Sequence, residues 1–566
     1  MQIDVSIEAL HYFLQPGVII NKIFYFKNIL AKGVPTYFRD EIYRRRMEDS
    51  KQEIDDIEID KIIAVITGIW TEKGFKLEKD KYKAQMSAVN DALLFASLSY
   101  YPNILTLGHC DSQLSLLLNE EKNFFLEYYR NVLIPTLLDF KPDLIGISYN
   151  YTQQIYPGMS LSAEIHKAGI DVPIVAGGSL ISQLGDELAA GDADEAMVSY
   201  TDLMQEYSSA NLLAALLDSC GIRGEGEGPL LELCKRTAER KSYNDIPNLI
   251  YRNKKNKTIR INKKGPLLPV RDIPVIKLDG LPIGKKYLTP IPLAPLLSSR
   301  GCYWNKCTFC NHAAIIDSCF RELPRETVVQ TLALYKEKYG IELALFCDEG
   351  MSPSMLKGLS KELSQLNLEI NFGTMIRIEK GLLNLIAPAS QSGCVYLAFG
   401  LESAVPRVVS LMNKGYTHDT AVAILEECSR NEIFVQYFVM FGFPTERYEE
   451  ARQTIRFLEK HQDKIGFIRA TPWGLTKNCY IAENLHDFGI IARTDLPVSG
   501  DPGSYILKEG INIDQSRQLA AGLLKNPLLR EKCGNIYCKN EEFMLLHYLC
   551  STGPTAEETD RVTMFI

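Results

Sequence analysis

The stretch Ser299-Arg300-Gly301-Cys302-Tyr303-Trp304-Asn305-Lys306-Cys307-Thr308-Phe309-Cys310-Asn311 holds the tightest cysteine cluster in a chain that otherwise scatters its thiols. Three thiolates can hold three irons of a 4Fe-4S cube and leave the fourth open to chelation by a small molecule bearing an amine and a carboxylate. A Cys-x2-Cys pair also suits zinc, with His312 available to complete a Cys3His set. A lasting disulfide is the weaker alternative, because 14 cysteines behind an amino terminus without a secretory signal are expected to be reduced. Trp304 and Phe309 are placed to shield such a cluster from water, while Lys306 reads as solvated.

Around this stretch, 566 residues are enough for two or three domains, each with its own core. Charged residues make up 23% and hydrophobic ones 46%, which excludes wholesale disorder. The formal charge of -8 gives no footprint for nucleic acid, and the basic runs Tyr43-Arg44-Arg45-Arg46 and Arg252-Asn253-Lys254-Lys255-Asn256-Lys257 are too short to change that. No apolar run is long enough to span a membrane, and the start Met-Gln-Ile-Asp-Val-Ser-Ile-Glu lacks a basic region followed by an apolar one. A cytoplasmic protein with no membrane or nucleic-acid partner is expected.

From about 60 to 240, short β-branched runs alternate with helical stretches: Ile62–Ile66, Asn103–Leu107, Asp143–Ser148, Val172–Ala176 and Ala196–Val198. Such alternation predicts a parallel sheet covered by helices, with ligands at the carboxyl ends of the strands. Two turns are conspicuous there, Ser148-Tyr149-Asn150-Tyr151-Thr152-Gln153-Gln154 and Gly177-Gly178-Ser179, although each alone reads as an ordinary turn. A third, Gly221-Ile222-Arg223-Gly224-Glu225-Gly226-Glu227, precedes a helix carrying Leu230, Leu231 and Leu233.

The back half begins a second series at Pro295–Ser299 and continues with Leu343–Cys347, Ile370–Thr374, Val395–Phe399, Phe434–Val439 and Gly466–Ala470. Six strands with intervening helices predict a partial β/α barrel, whose chemistry gathers at the carboxyl ends of the strands. Met355, Leu356, Leu359, Leu363 and Leu366 form the apolar stripe of one covering helix. The cysteine stretch follows the first strand.

In this order, the cysteines and the polar groups after each strand resemble the radical S-adenosylmethionine (SAM) enzymes, and the front segment resembles the cobalamin-binding domain fused to many of them. The resemblance implies an N-terminal extension over 1–60, a doubly wound, Rossmann-like cobalamin-binding-type domain over 61–240 and a linker over 241–294. A partial (β/α)6 radical SAM barrel over 295–484 and a small, mostly helical C-terminal region over 485–566 complete the expected α/β architecture. Cys302, Cys307 and Cys310 would ligate the 4Fe-4S cluster. Asp348, Glu349, Arg377 and Glu402 would contact SAM, together with Gly442 and Pro444 of Gly442-Phe443-Pro444-Thr445-Glu446, which resembles the family's Gly-x-Pro-x-Glu turn. Tyr149, Asn150, Thr152, Gln153 and Gln154 would lie at the lower face of cobalamin, and Gly177, Gly178 and Ser179 near its nucleotide tail, with Gly224 and Glu225 also in the site.

Two departures accompany the resemblance. The spacing is Cys-x4-Cys-x2-Cys where the family commonly has Cys-x3-Cys-x2-Cys, and the Asp-x-His-x-x-Gly motif of histidine-ligated cobalamin proteins is absent, His109 being wrongly spaced. The family's chemistry is reductive cleavage of SAM to methionine and a 5'-deoxyadenosyl radical, which abstracts hydrogen from an unactivated carbon. Cobalamin would carry a methyl group from a second SAM to the substrate radical, making the implied function C-methylation of a small molecule or peptide supplied with electrons by a flavodoxin- or ferredoxin-type reductant. Rearrangement, cyclisation or ring contraction without methyl transfer is the alternative enzyme reading, and a non-catalytic cobalamin or SAM sensor the alternative outside enzymes. Cys533, Cys538 and Cys550 with His547 could form a second metal site, but apolar neighbours Phe543, Leu545 and Leu546 favour buried helical thiols.

Overall fold

The strand-forming runs assemble into two six-stranded sheets. The computed structural model describes residues 120–151, 154–190, 216–253, 258–283, 292–311, 319–476, 479–493 and 505–533. It also describes helices Asp56–Thr71 and Lys79–Ser97, strand pieces at 104–105, 110–111 and 195–197, and a few positions before residue 23. Thr152, Gln153, His312, Cys538, His547 and Cys550 lie outside the described residues.

The front sheet contains β1 (Ile145–Ser148), β2 (Ile174–Gly177), β3 (Glu195–Met197), β4 (Cys220–Ile222), β5 (Leu249–Asn253) and β6 (Thr258–Ile261), in the spatial order β1-β2-β4-β5-β6-β3. β1, β2 and β4 are parallel neighbours, whereas β5, β6 and β3 extend the sheet antiparallel. Helix α1 (Ile155–Lys167) connects β1 to β2, α2 (Ser179–Ala190) follows β2, and α3 (Glu227–Glu239) lies between β4 and β5.

Several expectations for this half change. Ile62–Ile66 lies in the helix Asp56–Thr71, where Ile62, Ile66 and Ile69 are buried at helical spacing, and a short apolar run does not by itself distinguish the two periods. Of 103–107 the described residues are Ile104–Leu105, which pair antiparallel with Cys110–Asp111 outside both large sheets. Leu249–Asn253 and Thr258–Ile261, read as part of a linker, are two antiparallel strands of the sheet.

The back sheet is parallel throughout: β7 (Leu293–Leu296), β8 (Leu343–Met351), β9 (Asn371–Ile376), β10 (Cys394–Glu402), β11 (Phe434–Phe441) and β12 (Phe467–Pro472) pair in sequence order. Its strands are long apolar runs because helices cover one side and the interior of the curved sheet fills the other. Helix α4 (Pro353–Leu366) shows how a covering helix is specified. The Ser352 side chain caps it by accepting the Met355 N–H at 3.0 Å, and Met355, Leu356, Leu359 and Leu363 are buried. Leu366, at the last position of the stripe, is 61% exposed because the helix ends there and Asn367 turns into the left-handed region.

Behind the barrel, Ile490–Arg493 pairs with Tyr505–Leu507, and helix α6 (Ile513–Lys525) packs on β11 and β12. Cys533 bridges to Ile468 beside β12 and is buried, which pushes its thiol up to about 12. The C-terminal segment also seals the turn after β11: the Ile511 N–H donates to the Glu446 carbonyl at 3.0 Å, and Ser516 fills the space over Gly442. One Glu446 oxygen accepts the Gly442 N–H at 2.6 Å, while the other is buried with no hydrogen-bond partner among the described residues.

Burial raises the Glu446 carboxyl from 4.5 to about 7, so the folded chain binds a proton there that the unfolded chain has released. This contribution to stability is present below pH 4.5 and is lost as pH rises through 7, by something on the order of 3 kcal/mol. Glu446→Gln is expected to remove that loss, so that the melting temperature of the variant gains on the wild type between pH 5 and pH 8; parallel melting curves across that range would refute it.

Candidate functional site

The cysteine loop leaves the barrel at the carboxyl end of β7 and is closed at its base by a short antiparallel ladder. Ser299 pairs with Glu322, Arg300 with Arg321, and the Leu323 N–H donates to the Ser298 carbonyl at 2.9 Å. Gly301 turns the chain at φ +81°, and a side chain there would meet the Cys319 carbonyl at 2.8 Å, so glycine is required. Further out, the Thr308 N–H and hydroxyl donate to the carbonyls of Met412 and Leu411. The Trp304 indole donates to the Asn413 carbonyl, and Asn413 donates back to the Lys306 carbonyl, both at 2.9 Å. Met412 and Asn413 follow helix α5 (Pro406–Leu411), so the loop is fastened across the barrel mouth to the segment beyond β10.

Cys302, Cys307 and Cys310 form no disulfide among the described residues and are half-buried in this loop. Burial raises the Cys307 thiol, while the positive charges of Lys414 and Arg377 act in the opposite direction. Among the described residues no three His, Cys, Asp or Glu side chains converge closely enough for a single metal ion. Thiols held apart on a pinned loop suit an iron-sulfur cube, whose ligands bind different irons.

The strand-end groups divide into two kinds. Asp348 is almost fully buried and its carboxylate is occupied: Ser298 donates from its N–H and hydroxyl, and the Ser299 hydroxyl donates at 2.6 Å. It therefore fixes the root of the cysteine loop. Asp348, Glu349 and Gly350 lie within the irregular end of β8 rather than after it, because the strand resumes pairing at Met351. Glu349 is half-buried there. Gly442 and Pro444 are buried, Gly442 against Ser516 of α6, so they form a packed turn.

Arg377 and Glu402 are of the other kind. The Arg377 guanidinium lies 3.7 Å from the Trp304 ring centroid and donates from Nη2 to the Lys414 carbonyl at 2.5 Å. Its Nε and Nη1 are buried without hydrogen-bond partners among the described residues, a costly condition that an anionic ligand would relieve. Glu402 holds a left-handed conformation at φ +57° where β10 breaks register, and its Oε1 pairs with Lys414 Nζ at 3.2 Å. Gly400 makes room for both, since a side chain there would meet Glu402 Oε1 and Lys414 Nζ at 2.6 Å. Lys414 also faces the Phe309 ring at 5.8 Å. Sequence reasoning missed this lysine, whose signal is its place between Asn413 and Gly415 just beyond α5.

In the front sheet, the carboxyl ends of the three parallel strands join in one rim. Asn150 accepts the Ser179 N–H on Oδ1 and the Ser179 hydroxyl on its carbonyl, while Gln154 accepts the N–H groups of Asn150 and Tyr151. Ser182 accepts the Gly224 N–H at 2.9 Å and donates to the Gly178 carbonyl. Gly178 has φ +98°, and a side chain there would meet Asn150 Oδ1 at 2.8 Å. Gly177 ends β2 beneath this rim.

Two residues expected in this site belong elsewhere. Tyr149 is 1% exposed, its ring filling the space over Gly158 in α1, so it is core. Glu225 accepts hydrogen bonds from Arg321, from Arg300 at 2.7 Å and from the Leu268 N–H at 3.0 Å. Burial opposes its ionisation, but these donors outweigh burial and hold the carboxyl below its usual value.

Comparison with known proteins places this geometry. The sequence model of the Radical SAM superfamily matches residues 296–458, from the end of β7 to the helix after β11. The chain is 28% identical over 270 residues to an uncharacterized methyltransferase of Pyrococcus horikoshii, covering 47% of this chain and 58% of that protein. It is 25% identical over 190 residues to bacteriochlorophyllide d C-12(1)-methyltransferase of Chlorobaculum tepidum, covering 32% of this chain and 40% of that one. The match thus spans less than two thirds of either curated relative. Among solved structures, the radical SAM methyltransferase TsrM of Kitasatospora setae superposes with a TM-score of 0.54 at 16% identity, over 75% of this chain and 88% of its own. The cobalamin-dependent SAM radical enzyme OxsB superposes with a TM-score of 0.53 at 17% identity, over 76% of this chain and 68% of its own. Residues 296–458 thus match the Radical SAM superfamily, and the α/β fold of the chain is similar to those of TsrM and OxsB.

Proposed function

We propose that the protein is a radical SAM enzyme that methylates an unactivated carbon of a small molecule or peptide with the help of cobalamin. The observation that carries the reading is a pinned loop of three thiols beside the Arg377 guanidinium, two of whose donors have no partner among the described residues, both at the carboxyl edge of one parallel sheet. Cys302, Cys307 and Cys310 would hold the 4Fe-4S cluster, and Arg377, Glu349 and Glu402 would face SAM. Asn150, Gln154, Gly177, Gly178, Ser179 and Gly224 would hold cobalamin, a placement supported by their shared rim. When bound, the cluster supplies the electron for SAM cleavage and cobalamin the methyl group to be transferred.

The chain's own contribution is positioning. The Thr308 and Trp304 hydrogen bonds fix the cysteine loop against the end of α5, and Phe309 packs edge-on to Phe443, limiting water at the thiols. The open donors of Arg377 match a carboxylate. Electrons would come from a flavodoxin- or ferredoxin-type protein. Among the described residues no helix is long and apolar enough to cross a membrane, in keeping with a proposed cytoplasmic setting.

Two measurements test this reading. Protein purified without oxygen and reconstituted with iron and sulfide is expected to hold about four irons per chain and to release 5'-deoxyadenosine from SAM on reduction. Replacing Cys302, Cys307 and Cys310 together with alanine should abolish both, and zinc in place of iron in the wild type would overturn the assignment. With hydroxocobalamin added, the wild type should retain cobalt, whereas Gly178→Val should lose cobalamin affinity about tenfold or more at unchanged iron content. Wild-type protein that holds iron and no cobalt would remove cobalamin from the proposal.

A further inference from the structure

The base of the cysteine loop contains an electrostatic conflict. Arg300 and Arg321 are direct cross-strand partners in its closing ladder, and like charges opposite one another oppose pairing. Among the described residues of the loop no carboxylate pairs with either arginine. The counter-charge arrives from the front sheet: Glu225, one residue beyond Gly224 at the end of β4, pairs with Arg300 at 2.7 Å and with Arg321 more closely still. Glu227 reaches only Arg300 and is 43% exposed, whereas the side chains of Glu225, Arg300 and Arg321 are 15%, 17% and 14% exposed. The less screened interaction is the one that spans both arginines. Glu225 also accepts the Leu268 N–H, and Arg321 donates to the Leu268 carbonyl at 2.8 Å, fastening the chain that runs from β6 toward β7 to the same point.

We propose that Glu225 is a positioning residue for the cluster: the front sheet supplies the anion that lets the cysteine loop of the barrel close. Closure brings the two ends of the 301–320 excursion together, and its cost rises if the ends repel. Because the Gly224 N–H is held by Ser182, the position of Glu225 is set by the same rim that would receive cobalamin. The inference rests on the cluster assignment proposed for Cys302, Cys307 and Cys310.

The test uses full-length protein reconstituted without oxygen, with iron release to a chelator followed by loss of the cluster's visible absorbance. Glu225→Gln keeps the size but removes the charge and one of the two accepting oxygens, and is expected to speed iron release about tenfold. Adding Arg321→Gln should bring release back to within about threefold of wild type, because the conflict that Glu225 resolves is then gone, and Glu225→Asp should fall between. Iron release from E225Q at the wild-type rate would overturn the inference while leaving the cluster assignment intact. So would a double variant that loses iron as fast as E225Q, since that marks a merely structural contact. Should E225Q not fold, E225Q/R321Q carries the test, and its failure to fold or hold iron overturns the inference. A wild type that takes up no cluster overturns the cluster assignment first and this inference with it.

Discussion

A loop that presents three thiols at the mouth of a barrel keeps its place only if both of its ends are held. Here one end is fixed from inside by Asp348, whose buried carboxylate gathers Ser298 and Ser299, and the ladder between 299–300 and 321–322 is gripped from outside by Glu225. The two carboxylates belong to different sheets. The cysteine loop is therefore fastened from both halves of the chain, through the residues that follow β4 and β7.

This arrangement explains which parts of the fold are legible in the sequence. All six back strands can be read as apolar runs whose ends err by only a few residues, since the central strands are largely buried on both faces and even the edge strands β7 and β12 bury one. The front sheet is harder to read. β4 is three residues long, and β5 and β6 carry polar residues such as Arg252, Asn253 and Arg260, which a periodicity argument assigns to a surface connector. The opposite error arises at Ile62–Ile66, where the sequence is β-branched but Ile62, Ile66 and Ile69 share one buried helical face. Tertiary packing, not local preference, decides both cases.

The site divides along a related line. Cysteines on a short stretch and a glycine-rich turn after a strand are local signals, so the thiols and the Gly177–Ser179 turn can be found without coordinates. Carboxylates cannot be sorted in that way. Asp348, Glu225 and Glu402 all follow or end strands, yet only the three-dimensional partners show that the first two fasten the loop and the third balances Lys414. Lys414 itself is missed because its meaning depends on a contact across the barrel mouth.

The distribution of charge around the loop completes the argument. Three thiolates on an iron-sulfur cube add negative charge to a half-buried position, and such charge is tolerated where cations or dipoles compensate it. Two cations stand nearby, and they are deployed differently. Lys414 is matched by Glu402 at 3.2 Å, so much of its field is already answered. Among the described residues Arg377 pairs with no carboxylate; it is held by the Trp304 ring and a backbone carbonyl, and two of its donors have no partner there. The excess positive charge at the barrel mouth thus lies on Arg377, on the Trp304 side of the loop, and that asymmetry gives an incoming anionic ligand a defined side from which to approach.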